Sequence, residues 1–295
     1  MKKGIHPRPC ARQPGTQDEQ IARQRHRPRW KLLKNTAPIP CALCLLPATL
    51  RVTTCVFNWE RVEGTRNFAN KIWNASRFAL MNMEGYDKDA ELAPYTLADK
   101  WILSRLQDTV KDVTGLLERF ELGEAGRAIY DFIWSEVCDW YIEIAKPRLY
   151  NKEAAAERAT AQHVLATVLV SAMKLLHPYM PFITEEIYQC LPHEAESIMI
   201  SKWPVADESL VDPKAERGMN AIMDSIKAIR NMRAEVNANP GKKIPAIMLV
   251  SEDLREVVAH NDSYIKLLGG IDNLELRPLN GEKAGKCHGS RCNRH

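Results

Sequence analysis

Between residues 59 and 239 apolar side chains recur at helical spacing, and this sustained 3.6-residue period commits the body of the chain to α-helix. Residues 1–56 show no such period. They mix Arg, Pro, Gln and Cys in proportions that would not bury a core, and read as a disordered or artefactual leader. After Gly281 the run EKAGKCHGSRCNRH is an aperiodic tail over 281–295.

Within the body, a first helix is expected over residues 60–83, followed by a loop with Gly85 and Pro94. Thr96 then has the chemistry of an N-cap, and Asp99 three residues later completes a near capping box. The core stripe of this second helix is expected at Trp101 or Ile102, Leu106, Val110, Val113, Leu117 and Phe120. A third helix over 123–146 carries Ile129, Ile133, Trp140 and Ile144 on one face and should stop before Pro147, whose ring cannot sit inside a regular helix. A fourth places Leu165, Leu169, Ala172 and Leu176 at intervals of four, three and four. His177 caps the chain into the Pro178 turn, Pro181 suits the first turn of the next helix, and that helix ends by Pro192. Beyond Pro204 come a long helix over 213–236, a strand over 244–250, short helices over 253–260 and 263–268, and a strand over 274–277. The fold class is therefore mainly α: a helical bundle over 57–211, then a small, truncated α/β appendage over 212–280.

The net charge of +4 hints at an anionic partner until its location is examined. Residues 1–56 carry +9 and residues 281–295 carry +3, which leaves the body at −8. Bulk charge thus argues nothing for nucleic acid, and any such surface must be local. Six of the eight cysteines also lie in the two ends; Cys138 and Cys190 alone fall in the body, as expected of a reducing, cytoplasmic compartment. The apolar run over 39–50, IPCALCLLPATL, is broken by Pro40 and Pro47 and is too short to span a bilayer.

One local surface stands out. Residues set at 100° intervals on the first helix place Arg66, Arg77, Asn70, Glu63, Asn74, Asn67, Phe78 and Lys71 on one arc of about 140°. Phe68, Ile72, Ala75 and Ala79 fall on the opposite arc. Three interior asparagines cost roughly 2 kcal/mol of helix propensity together, so propensity alone does not select them. Amides reach base edges, Arg and Lys engage phosphates, and an exposed ring stacks on an unpaired base. The competing reading is a solvated face with Phe78 at the margin of the core.

The segment ERVEGTRNFANKIWNASRF (60–78) resembles the start of the anticodon-binding domain of valyl-tRNA synthetases, class I aminoacyl-tRNA synthetases. VCDWYIEIAK (137–146), LLHPYMPFITEEIYQCLP (175–192) and IKAIRNMRAEVNANPGKK (226–243) are similar to later segments of the same family, in the same order. The resemblance covers residues 57–280. It implies docking on the anticodon stem and loop of tRNA(Val), with Asn70, Lys71 and Phe78 as the leading contacts and Arg66, Asn74 and Arg77 in support.

It also implies a parent activity, the ATP-dependent attachment of valine to tRNA(Val), with ATP and Mg as parent cofactors. The HIGH-like and KMSKS-like signatures of the catalytic domain do not occur here, so no catalytic residue, metal or cofactor is expected in this chain, and it is expected to be inactive alone. A gene fragment with out-of-frame ends accounts for the abrupt changes; a catalytic half on another chain is the other arrangement. Neither membrane nor DNA is an expected partner. A free-standing RNA-binding module and a protein-interaction scaffold are the alternative functions. Cys41 and Cys44, and the set Cys287, His288, Cys292 and His295, lack the spacing or support of a zinc site. Lys227, Arg230 and Arg233 read as a solvated basic flank available to a tRNA backbone.

Overall fold

The computed structural model describes residues 59–239 and 241–278, with side-chain environments from Glu63 onward. The leader, the tail and the two Cys/His groups named above lie outside the described residues.

Among the described residues, six α-helices and one π-helical segment build the bundle. Helix α1 (Trp59–Asn82) leads through a loop to α2 (Leu97–Glu118). Thr96 caps α2 as its sequence suggests: its side chain accepts from Asp99 N–H, while Asp99 Oδ2 accepts from Thr96 N–H. Helix α3 (Leu122–Asp131) runs directly into the π-helical segment (Phe132–Tyr141), and that into α4 (Ile142–Tyr150). Helices α5 (Ala155–Leu176) and α6 (Pro181–Cys190) complete this layer, joined by the His177 turn.

Helix α2 is the spine, packing against α3, α5 and the π-helical segment. Trp101, Ile102, Leu106, Val110 and Val113 are all buried along it. Each such side chain contributes about 1.5–3 kcal/mol of apolar transfer. Leu117 is half-buried. Phe120 departs from the expected stripe. Helix α2 has ended at Glu118, Phe120 adopts a left-handed φ of 61°, and its ring is 77% exposed. Helical projection does not extend past the residue at which the chain turns.

The third expected helix departs twice. Its middle winds with π geometry, in which each turn holds more residues, so the buried positions are Phe132, Ile133, Val137 and Tyr141, with Trp140 left half-buried. It also continues through Pro147 to Tyr150. Leu149 is buried and Arg148 is ion-paired in the interior, and these tertiary anchors hold the last turn in place despite the proline.

Helix α5 is long and apolar enough to cross a membrane by length and composition, yet 67% of that stretch is buried inside the bundle. Leu165, Leu169, Ala172 and Leu176 all face the core.

Helix α7 (Pro213–Glu235) joins the bundle to the appendage. Its N-terminus is fastened to α2 through Ser104, which donates to Glu216 and accepts from Asp212 N–H. Met219 and Met223 pack into the bundle core, whereas Ile222, Ile226 and Ile229 form a second core with Val250, Val258, Ile265 and Ile271. That second core lies under β1 (Ile244–Val250), α8 (Glu252–His260), α9 (Asp262–Gly269) and β2 (Ile271–Pro278). The two strands pair in parallel, with a register shift between Ile244 and Ala246. Their connection through two helices is what a parallel pair requires. Gly218 sits where α7 meets α8, and a Cβ there would lie 2.8 Å from Val257 Cγ1.

Candidate nucleic-acid interface

The buried arc of α1 is Phe68, Ala69, Ile72, Ser76 and Ala79, each no more than 8% exposed. That fixes the orientation of the helix and turns the opposite arc outward. Arg66, Asn67, Asn70, Asn74 and Arg77 are exposed there, with Arg66 only loosely paired to Glu63 at 3.5 Å. A pair so open to solvent holds its guanidinium weakly. These groups are available to base edges and phosphates.

Lys71 and Phe78 differ in kind from the rest of the set. Lys71 Nζ donates to Asp139 Oδ1 at 2.6 Å and to Trp134 O at 3.2 Å, and it lies 3.6 Å from the centroid of the Trp134 ring. The lysine is thus seated on the π-helical segment at the inner margin of the face. Phe78 is half-buried, meeting Tyr150 edge-on at 6.2 Å with Lys146 Nζ 5.7 Å from its ring. Tyr150 is itself 61% exposed, so the Phe78–Tyr150 pair forms an aromatic margin.

Underneath, Tyr130 stacks on Trp134 at 5.6 Å and 11°, and Phe68 packs on Tyr130 at 4.6 Å. The ladder Phe68–Tyr130–Trp134–Lys71 couples α1 to the π-helical segment. Arg105 of α2 grips Glu136 through three contacts of 3.0–3.3 Å. Burial pushes the Glu136 carboxyl up, and Arg105 offsets only part of that. The Cys138 thiol is pushed up to about 11 by burial, against the pull of Lys71.

Asp99 is more than a cap. Fully buried, it accepts two hydrogen bonds from Arg148 at 2.6 and 2.7 Å and one from the Tyr141 hydroxyl at 2.9 Å. Burial alone would raise its pKa; the Arg148 hydrogen bonds and charge, aided by Thr96, outweigh this and hold it below the usual carboxylate range. Tyr264 of α9 lies close enough to Arg148 and Asp99 to feel both charges, so this interior network touches the appendage as well. Sequence reading missed the network because its members lie 42 and 49 residues apart.

The basic flank on α7 is partly engaged by backbone carbonyls. Arg230 donates to Leu268 O, and Arg233 donates to Gly270 O, Asn239 O and Lys242 O. These guanidiniums close the carbonyl end of α9 and the turn before β1; Lys227 and Arg230 stay exposed, and Arg233 is half-buried. Lys227 pairs with Asp224 and lies 6.0 Å from the Trp140 ring. His177 sits at the end of α5, with Nδ1 2.8 Å from Thr184 Oγ1. The same hydroxyl lies within hydrogen-bond reach of Met180 O and Pro181 O, so it ties the end of α5 to the first turn of α6. A cleft of about 300 Å³ opens elsewhere, between the outer face of α5 and the segment after α6, lined by Tyr86, His163, Lys174, Tyr188 and His193. Among the described residues no three His, Cys, Asp or Glu side chains converge on a possible metal position.

Two exposed apolar side chains on α1 escaped the sequence reading, Trp73 and Met81. Trp73 is 46% exposed, about 20° outside the arc drawn from Arg66. The signal available to find it was its spacing, seven residues after Arg66 and four before Arg77.

The sequence is similar to those of known proteins. Residues 99–248 match the family described as the anticodon-binding domain of tRNA ligase. The valine–tRNA ligase of Listeria innocua is 51% identical over 213 residues, 71% of this chain and 24% of the relative. That of Carboxydothermus hydrogenoformans is 50% identical over 201 residues, 67% of this chain and 22% of the relative. The chain spans about a quarter of the length of these curated relatives. It belongs to the anticodon-binding domain family of tRNA ligases, in the valyl-tRNA synthetase branch.

Proposed function

We propose that the chain binds the anticodon stem and loop of tRNA(Val), with the outward face of α1 as the reading surface. The observation that carries this is the exposed set Asn70, Asn74, Arg66 and Arg77 beside the Phe78–Tyr150 margin, on a helix packed into an anticodon-binding bundle. Amides there address base edges, guanidiniums address phosphates, and the ring margin offers a stacking surface. Lys71 stands at the inner edge, where it shares its charge between Asp139 and a nearby phosphate. The body's net charge of −8 confines attraction to this face, so recognition is local and not a bulk field.

The relatives are named valine–tRNA ligases, and the resemblance implies the parent activity, ATP-dependent attachment of valine to tRNA(Val). In this proposal the present chain contributes the tRNA-reading part of that activity.

A filter-binding titration of tRNA(Val) at fixed salt tests the reading. Asn70→Ala, Asn74→Ala and Arg77→Ala combined should weaken binding at least tenfold with helical content unchanged. Equal affinity for the triple variant and the unaltered chain would exclude α1 as the reading surface. Repeating the titration across salt concentrations should give a slope set by a few phosphate contacts.

A further inference from the structure

Residues 66, 70, 73, 77 and 81 form one continuous row along α1, at steps of four, three, four and four. All five are exposed: Arg66, Asn70, Trp73, Arg77 and Met81, the last at 72%. The row contains a half-exposed indole between two guanidiniums. Among the described residues no ring or cation stacks on that indole, whereas Trp134, Trp140 and Phe78 each carry a cation or a ring. The α1 core is complete without Trp73, since Phe68, Ile72 and Ala79 already fill the buried arc at 1% exposure or less. A half-exposed indole forgoes part of its apolar transfer energy and leaves a π face open to a stacking partner.

We infer that Trp73 is a stacking platform for an unpaired base of the RNA loop, with Arg66 and Arg77 on its two sides engaging the adjoining phosphates. This rests on the proposed tRNA-binding reading and adds a residue to it. A π face accepts any base, so Trp73 sets affinity and the position of the loop, while Asn70 and Asn74, one step around the helix, address base edges. The Phe78–Tyr150 margin lies on the other flank of these amides, so two aromatic surfaces bracket the polar strip.

The experiment uses the full chain and a synthetic hairpin RNA with the anticodon stem–loop sequence of tRNA(Val) and 2-aminopurine in turn at each loop position. Affinity is measured by filter binding across salt concentrations, and stacking by 2-aminopurine quenching. Trp73→Leu keeps the apolar bulk without the π face; it should weaken binding by about 5- to 150-fold with the salt slope unchanged. It should also abolish quenching at one loop position. Trp73→Phe should stay within about threefold of the unaltered chain and retain the quenching. Affinity for Trp73→Leu within twofold of the unaltered chain, or a changed salt slope, overturns this inference and leaves the tRNA reading standing. Absence of hairpin binding by the unaltered chain overturns both. Equal far-UV circular dichroism of the variants shows that the fold is retained.

Discussion

Arg148 and Asp99 meet inside the bundle through two hydrogen bonds of 2.6 and 2.7 Å, with the Asp99 side chain fully buried and that of Arg148 13% exposed. The same carboxylate caps α2 and takes the Tyr141 hydroxyl, so one aspartate holds α2, the π-helical segment and α4 together. The π-helical segment and α4, which this pair fastens to α2, are two of the elements against which α1 packs. The Arg148 Nε–H is buried without an acceptor, so the pair is not optimally satisfied. The consequences are sharp for single replacements and mild for double ones.

Replacing one partner strands the other. Asp99→Asn or Arg148→Met alone should lower unfolding free energy by about 3–5 kcal/mol, read as a fall in the urea midpoint. The double variant Asp99→Asn with Arg148→Met should lose less than the sum of the singles, because no charge is left buried. Additive losses would show that the two side chains act independently.

The pair also sets an acid limit. Asp99 has a folded pKa below its unfolded value, so its stabilisation is present above about pH 4 and is lost as pH falls through the folded value. The urea midpoint should hold between pH 5 and 7 as far as Asp99 is concerned and fall in more acidic buffer. Glu136 is shifted the opposite way, and the His177 pKa is lowered by burial against the pull of Glu185, so both add their own slopes. The difference between the unaltered chain and Asp99→Asn isolates the Asp99 component, and should shrink as pH drops below 4. A difference independent of pH down to 2 would contradict the ionised pair.

Lys71 should behave as a positioning residue and not as a free surface cation. Lys71→Ala removes two hydrogen bonds and a cation–π contact, and should cost about 1–2 kcal/mol of stability. Asn70→Ala, one residue away on the same helix, removes an exposed amide of poor helix propensity and should be neutral or slightly stabilising. Thermal unfolding of the two variants side by side makes the comparison. Equal melting temperatures would show that the Lys71 contacts contribute nothing to the fold.

Local rules recovered much of this protein. Thr96 and Asp99 are three residues apart, and a capping box depends on nothing farther away, so the start of α2 was legible. The same holds for Pro181 opening α6 and for the spacing of Leu165, Leu169, Ala172 and Leu176. Phe120 was misplaced because periodicity contains no stop signal where a left-handed residue turns the chain. Pro147 was misplaced because Leu149 and Arg148 are anchored by partners far away in sequence. On α1 the projection found the outward arc, yet it could not say that Lys71 would be taken up by Asp139, 68 residues on, or that Trp73 would stay uncovered.

The sequence by itself determined the helices, their buried stripes and the family, because helix propensity, capping and apolar period act over a few residues. Tertiary structure alone decided which charges are spent inside. Arg148 on Asp99, Lys71 on Asp139 and Arg233 on the carbonyls near α9 each pair across long separations, and a cation's availability to RNA depends on whether such a partner lies within about 3 Å of it.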